Sequence, residues 1–481
     1  MTNNTIRFLH NDQLVELDNL DPNLTILQYL REHQHATGTK EGCASGDCGA
    51  CTVVLAEPNG DELSYKSVNS CIGFVGSLHG KQLITVEHLK NGDQLHPVQQ
   101  SLVDNHGSQC GFCTPGFVMS AFALHKHNDS PNRAEVIEAL AGNLCRCTGY
   151  RSIIDAAMTS TKDTPKDSFV KSTKKTIKQL NQIDQPANLS GNNHQFYAPT
   201  NIDDLAKHLV DNPKSTLLAG GTDLALGVTQ NLSTIEQLVY LGNVVELNQI
   251  EQTDTHIKLG AAVTYSRFTH LLGEQYPDLA QMIERIGSTQ IRNTGTLGGN
   301  IGNASPIGDM PPAMIALNAT MTLRKGKKTR EIAVEDYFKD YKVTDLKKSE
   351  FIQDISIPKA QDGQHFKVYK VSKRIDDDIS AVLASILIEI DGKKVKSVSI
   401  AFGGMAAIPK RAKACEKALL GKPWTQTNVD KAKKALTKDF QPMSDVRASD
   451  AYRMKVAQNL LQKCFIELQN RTIETRVANY A

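Results

Sequence analysis

Cys43-Ala44-Ser45-Gly46-Asp47-Cys48-Gly49-Ala50-Cys51 is the stretch from which the rest of the chain is read. Its spacing, C-x4-C-x2-C, is that of plant-type [2Fe–2S] centres, with Cys71 downstream as a fourth thiolate. Thiolate sulfur is a soft donor suited to iron. Gly42, Gly46 and Gly49 allow a loop to close tightly and aim backbone N–H groups at sulfur. A zinc knot is the rival, but structural zinc shows paired C-x2-C or Cys/His units, and no histidine lies between Cys43 and Cys71. A disulfide framework suits small secreted domains, not 481 residues beginning Met-Thr-Asn-Asn-Thr-Ile-Arg-Phe without an apolar signal core.

Composition fits a soluble protein of a reducing, cytoplasmic compartment: 22% charged residues, 40% hydrophobic and a formal net charge of +2. That balance argues against a dedicated nucleic-acid surface. No apolar stretch nears the ~20 residues a membrane span needs. At ~150 residues per domain the length predicts about three domains.

Residues 1–88 read as an α+β unit. A hairpin over Thr5–Leu9 and Leu14–Leu17 turns at Asn11-Asp12, and a helix carries Leu24, Leu27 and Leu30 on one face, with Asp21 or Asn23 as cap. The cysteine loop, strand Thr52–Leu55 and strand Gln82–Glu87 follow. This order resembles the ferredoxin (β-grasp) fold. From Pro97 the pattern turns helical, with candidates at Val98–Val103, Phe117–His125, Ala134–Ala141 and Ile153–Met158. Cys110-Gly-Phe-Cys113 precedes the second helix and Cys145-Arg-Cys147 follows the third, so helix ends can gather four more sulfurs.

The two cysteine sets together resemble the molybdenum hydroxylases, whose members include xanthine dehydrogenase and aldehyde oxidase. The family's second-cluster motifs match Cys110-Gly111-Phe112-Cys113-Thr114-Pro115-Gly116 and Cys145-Arg146-Cys147-Thr148-Gly149-Tyr150. The resemblance implies a second [2Fe–2S] cluster on Cys110, Cys113, Cys145 and Cys147 in a four-helix bundle beside the molybdenum cofactor. The cluster of Cys43, Cys48, Cys51 and Cys71 would then lie on the way to flavin. Gln109 falls on a family position that contacts molybdopterin, though an ordinary loop glutamine fits equally.

Residues 161–195 are polar and carry Lys166, Lys171, Lys174, Lys175 and Lys178, which predicts a solvated linker. Beyond it, Asp203–Val210 reads as a helix, and strand Ser215–Ala219 runs into Gly220-Gly221-Thr222-Asp223-Leu224. Paired glycines after a strand let backbone N–H groups approach a phosphate. The device recurs in Arg292–Pro312, glycine-rich, low in charge and too long for a simple turn, around Thr296-Leu297-Gly298-Gly299-Asn300 and Asp309. The Rossmann and Walker fingerprints are absent. The two loops resemble the FAD-binding domain that the molybdenum hydroxylase flavoproteins share with the vanillyl-alcohol oxidase group. On that resemblance Leu217, Leu218, Ala219, Gly220, Gly221, Thr222, Asp223, Leu224, Thr296, Leu297, Gly298, Gly299, Asn300 and Asp309 fall on FAD-contact positions.

After Phe366, strands (Phe366–Val371, Ile386–Ile390, Val395–Phe402) precede helices from Lys410 and Val429, as in the family's C-terminal flavoprotein domain. The run Lys373–Ile379 also matches family sequence; a charged Arg-Asp-Asp run is usually solvated and receives no catalytic role. Cys415 and Cys464 read as helix thiols. The expected fold is α+β and multidomain: 1–88 ferredoxin-like, 89–160 helical bundle, 161–195 linker, 196–362 FAD domain and 363–481 C-terminal domain.

Family members in a single chain continue into a molybdopterin-binding portion, so an end at Ala481 implies the iron–sulfur/FAD small subunit of a bacterial xanthine dehydrogenase. Its partner would be a molybdenum-binding large subunit that oxidises hypoxanthine and xanthine, the two assembling as a heterotetramer of two small and two large subunits. Electrons would run through two [2Fe–2S] clusters to FAD and on to NAD. No catalytic side chain is demanded of this chain. The alternatives are the same subunit in an aldehyde, nicotinate or carbon monoxide hydroxylase, a free-standing diaphorase, or a non-enzymatic iron–sulfur protein, which the two glycine loops disfavour.

Overall fold

The computed structural model describes residues 5–128, 130–160, 167–183, 185–470 and 472–475. The chain forms two compact units. The first comprises Met1–Asn248, Thr264–Ser266 and Gly287–Thr296, the second Gln249–Val263, Arg267–Ile286 and Leu297–Ala481.

In the first unit, β1 (Ile6–His10), β2 (Gln13–Leu17), β3 (Thr52–Asn59), β4 (Glu62–Asn69) and β5 (Gln82–Ile84) make a sheet of order β2-β1-β5-β3-β4, in which β1 and β5 run parallel. The helical turn Ile26–Gln28 closes over it, with Ile26, Leu27, Tyr29 and Leu30 buried against Phe8 and Val53. Its cap is Thr25, not Asp21 or Asn23: the Thr25 hydroxyl accepts from the Gln28 N–H at 3.2 Å, and the Gln28 side chain accepts from the Thr25 N–H at 3.0 Å. Asn23 is used elsewhere, its side chain bonded to both backbone groups of Ile235.

The four helices occupy Pro97–Asp104, Thr114–His127, Arg133–Leu140 and Arg151–Ser160, each within a few residues of its expected place. Pro97 opens the first, and Asn132 with Glu135 forms a capping box on the third. Phe117, Met119, Phe122, Val136 and Ile153 fill the core between them.

The expected linker differs. Residues 161–166, Lys166 among them, lie outside the described residues, but Ser168–Leu180 is a helix capped by Asp167. Phe169, Thr176 and Leu180 are buried while Lys171, Lys174, Lys175 and Lys178 stay exposed. Two threonines, at 173 and 176, stand in the helical stripe between Phe169 and Leu180 and hide its period from an apolar count. β6 (Ala187–Gly191), β7 (His194–Ala198), β8 (Thr216–Leu218) and β9 (Gln237–Tyr240) then form a sheet of order β6-β7-β9-β8, with helix Ile202–Asp211 between β7 and β8.

The second unit holds a sheet of order β10-β11-β16-β12-β13, built from β10 (Ile250–Gln252), β11 (His256–Gly260), β12 (Thr320–Lys325), β13 (Lys328–Ala333) and β16 (Phe351–Pro358). β14 (Phe338–Asp340) and β15 (Val343–Thr344) pair separately. A second sheet of order β17-β18-β19-β20 joins β17 (Gln364–Val371), β18 (Val382–Asp391), β19 (Lys394–Gly403) and β20 (Lys410–Arg411). Helices Lys413–Leu419, Gln426–Asp439 and Asp450–Gln469 cover it, and Cys415 and Cys464 are buried in that core. Among the described residues no helix is long and apolar enough to cross a membrane.

Candidate metal centres and cofactor segments

The loop from Gly42 to Cys51 brings three sulfurs together, and Cys71, two residues past the strand Glu62–Asn69, adds the fourth. The backbone N–H groups of Ser45, Asp47 and Cys48 donate to Cys43 Sγ at 3.4, 3.3 and 3.4 Å. Hydrogen bonds from the Cys48 and Cys71 thiols hold the Cys43 thiol far below its ordinary range, and the same bonds push Cys48 and Cys71 up. Cys51, fully enclosed, is lowered by its bond from Cys71. Gly46 and Gly49 sit at φ +85° and +67°, the left-handed turns that let the N–H groups converge. Asn69 secures the loop from the sheet, its Nδ2 donating to the Gly46 carbonyl at 2.7 Å.

The second set gathers at helix ends. Cys110 and Cys147 Sγ stand 3.6 Å apart. The Phe112 N–H and then the Cys147 thiol lower Cys110, while Cys147, the donor, rises. Burial, then the bond to Cys145, pushes Cys113 up to about 12. Burial alone would raise Cys145, but the Thr148 hydroxyl at 3.1 Å and N–H at 3.5 Å outweigh it and bring it down. Tyr150, at φ +69°, accepts the Cys145 N–H on its hydroxyl at 3.0 Å, which explains the tyrosine that closes the motif. Gln109 is exposed beside Cys110.

Each set therefore offers sulfurs and converging N–H donors, the donor chemistry of an iron–sulfur core. A single tetrahedral zinc ion, bonded at ~2.3 Å, draws its ligand atoms to within about 4 Å of one another. Among the described residues, three possible ligand atoms come mutually within 4.8 Å at one place only, His96, His125 and Asp167, so neither cysteine set is that compact. At the histidine trio a cation is already present: Lys126 pairs with Asp167 and lies over the rings of Tyr65, Phe122 and Phe169.

The two loops meet through backbone. The Leu144 N–H donates to the Cys48 carbonyl at 3.0 Å, and Asn143 Nδ2 donates to the Gly49 carbonyl at 3.1 Å.

The flavin segments are placed by close backbone approach. A Cβ on Gly220 would stand 2.0 Å from the Thr294 carbonyl oxygen, so this glycine lets the first loop lie against the chain leading to Thr296. Gly221 is at φ +74°, and the short helix Leu224–Thr229 follows. Leu217, Ala219, Thr222 and Leu224 are half-buried, Leu218 is buried and Asp223 is exposed.

In the second unit, Leu297–Gly302 is a short helix where an extended loop was expected. Gly298 packs on Ala261, Gly299 is exposed, and Asn300 Oδ1 is buried with no hydrogen-bond partner, an acceptor left for a ligand's N–H or O–H. Asp309 is not a free acid: Lys370 Nζ reaches one oxygen at 2.6 Å and Ser380 Oγ the other at 2.5 Å. Sequence reading missed Gln230, whose side-chain amide donates to the Cys43 and Ala44 carbonyls at 3.0 and 2.9 Å. It is 187 residues from Cys43, and no local pattern marks it.

Two thiolate sets with glycine segments of this kind define an iron–sulfur flavoprotein. Comparison with known proteins narrows the class. Four family models match: 2Fe-2S iron-sulfur cluster binding domain over 8–75, [2Fe-2S] binding domain over 85–158, FAD binding domain in molybdopterin dehydrogenase over 192–360, and CO dehydrogenase flavoprotein C-terminal domain over 367–468. Xanthine dehydrogenase of Emericella nidulans is 32% identical over 98% of this chain and 39% of its own length. Xanthine dehydrogenase 2 of Arabidopsis thaliana is 31% identical over 86% of this chain and 36% of its own length. The chain thus spans roughly two fifths of these relatives.

Among solved structures, a chain of Cu,Mo-CO dehydrogenase is 28% identical with TM-score 0.53, covering 56% of this chain and 94% of that one. A chain of quinoline 2-oxidoreductase from Pseudomonas putida 86 is 26% identical with TM-score 0.52 at the same coverage. The chain belongs to the molybdenum hydroxylase family and carries its two [2Fe–2S] domains, its FAD-binding domain and its flavoprotein C-terminal domain.

Proposed function

We propose that this chain is the iron–sulfur/FAD subunit of a xanthine dehydrogenase, receiving electrons from a molybdenum-binding large subunit that converts hypoxanthine and xanthine to urate, and delivering them to NAD. The observation that carries the reading is the backbone bond from Leu144, next to Cys145, to the carbonyl of Cys48, which joins two four-sulfur sets in one compact unit. Cys43, Cys48, Cys51 and Cys71 would hold one cluster, and Cys110, Cys113, Cys145 and Cys147 the other. Leu217–Leu224, Thr296–Asn300 and Asp309 would supply FAD contacts.

When bound, the clusters supply single-electron carriage and the flavin the exchange between one-electron and hydride chemistry. The chain's own part is positioning. N–H groups aimed at sulfur stabilise the reduced, more negative state, and burial of Cys51 and Cys71 keeps water from the inner sulfurs. No side chain here is assigned to the purine chemistry. On this reading 1–88 and 89–160 are the cluster domains, 196–362 the FAD domain and 363–481 the C-terminal domain, the protein is cytoplasmic, and the assembly holds two copies of each subunit.

The names of the relatives support xanthine; the CO dehydrogenase and quinoline oxidoreductase matches support a second reading, the same subunit serving a different hydroxylase. The deciding experiment co-purifies the chain with its molybdenum subunit and measures iron, flavin and substrate-dependent NAD reduction. About four iron and one FAD per chain with xanthine-driven NADH formation support the first reading. The same cofactors without xanthine turnover favour the second, and zinc in place of iron rejects both.

A further inference from the structure

The segment Ser288–Gly295 leads into the proposed flavin segment at Thr296, yet its side chains bond to the strand Glu62–Asn69 and the helix Arg133–Leu140. Asn293 Nδ2 donates to the Ser67 carbonyl at 2.9 Å, Thr289 Oγ1 donates to the Glu138 carbonyl at 3.2 Å, and Arg292 pairs with the Glu138 carboxylate. Between them Gln290 is fully buried. Its Nε2 lies 3.2 Å from Thr52 Oγ1, 3.2 Å from Ser120 Oγ and 3.1 Å from Asn143 Oδ1.

Each of those acceptors belongs to a different element. Thr52 follows Cys51 and donates its hydroxyl to the Gly49 carbonyl at 2.7 Å; Asn143 stands two residues before Cys145 and donates to the same carbonyl at 3.1 Å. Ser120 lies on the helix that begins after Cys113 and donates to Asn143 Oδ1 at 2.6 Å. The Gln290 Oε1 is buried with no hydrogen-bond partner, and a Cβ on Gly142 would stand 2.3 Å from it. A half-satisfied buried amide stabilises less than an apolar side chain of its size, so stability alone does not account for it.

We infer that Gln290 is a positioning residue for electron transfer, a three-way tie that fixes the distance between the Cys43–Cys71 set and the Cys110–Cys147 set. A single NH2 group with two protons faces three acceptors, so a shift of either loop breaks part of the tie. Tunnelling falls exponentially with separation, so the tie governs the rate between the sets without touching either one. The inference rests on the two-cluster reading proposed above.

The test is electron paramagnetic resonance on the dithionite-reduced protein, isolated with whatever subunit accompanies it, together with the rate of electron equilibration after rapid reduction. In the wild-type protein two signals with a mutual dipolar splitting are expected. Gln290→Leu keeps the iron count and each signal's own line shape, alters the splitting, and slows equilibration roughly tenfold or more. Gln290→Glu keeps the shape and lets the Thr52 and Ser120 hydroxyls donate instead, giving an intermediate splitting. Thr289→Val, on the same turn but outside the tie, leaves the splitting at the wild-type value.

An unchanged splitting and rate in an iron-replete Gln290→Leu protein overturns the inference. If that variant fails to load iron, Gln290→Glu decides by the same readout, and loss of iron in both makes Gln290 a folding residue and also overturns it. Absence of two iron signals from the wild-type protein instead overturns the two-cluster reading.

Discussion

The two cysteine sets are built on opposite plans. In the first, Cys51 and Cys71 are 1% and 2% exposed, the sheet supplies Asn69 as a brace, and three N–H groups converge on Cys43. In the second, Cys110 and Cys147 both lie exposed at the ends of helical segments, with Cys145 and Cys113 behind them. One set has two sulfurs enclosed by the core of its own domain and two half-buried, whereas the other presents two sulfurs outward. A set held by a packed loop resists loss of a ligand, and a set held at helix ends depends on each ligand it has.

The largest expected effect breaks that contrast at its weaker side. Cys147→Ser should remove one iron signal and about two iron per chain while the other signal persists, measured by iron analysis and low-temperature spectra. Equal loss of both signals would show that the sets are not independent.

Gly49→Ala should come next. Alanine at φ +67° costs about 1 kcal/mol, and its Cβ would stand 2.2 Å from the Gly142 carbonyl oxygen, so the seam between the two loops must open. A fall of several degrees in melting temperature with weakening of both signals is expected. Gly111→Ala is the matched control on the open side, since Gly111 has φ +81° but nothing within 4 Å of a Cβ. It should show the backbone cost alone, and equal damage from the two variants would remove the packing argument.

Smaller still is a difference in order. A chelator added to the reduced protein should extract iron from the Cys110–Cys147 set first, followed as sequential loss of the two signals. Simultaneous loss would mean that exposure of the sulfur does not control access to the metal.

What the sequence made legible is what its chemistry keeps local. The nine residues Cys43–Cys51 carry three of the proposed ligands and both turns at once, so spacing alone points to the centre. The four bundle helices announce themselves by their apolar period. The helix Ser168–Leu180 escaped because threonines complete its buried face. The Thr25 cap escaped because Asp21 and Asn23 are equally good capping residues, and only the fold shows where the turn begins. The pairing of Asp309 with Lys370 and Ser380 escaped because those partners are 61 and 71 residues away. The ties made by Gln230 and Gln290 span 187 and 147 residues, and glutamine has no local signature.

The smallest effect concerns acid. His125, 3% exposed within the helical bundle, is lowered to about 4 by burial and then by the neighbouring charges of His96 and Lys126. His10 and His79, in the sheet domain, are likewise lowered to about 4, each chiefly by burial. A histidine with its folded value below the unfolded ~6.5 binds more protons when unfolded, so its contribution is complete above pH ~6.5 and is lost as pH falls toward 4. Asp167 acts in a lower window. Burial would raise its carboxyl, but the bonds from His96 and Lys126 hold it well below the carboxylate range, so its contribution persists until the pH drops under about 4. Melting temperature should therefore decline between pH 6.5 and 4 through the histidines. His125→Gln should flatten that slope for the bundle and leave the part due to His10 and His79 in the sheet domain. An unchanged slope in His125→Gln would move the acid sensitivity away from the bundle and into the more enclosed of the two cluster domains.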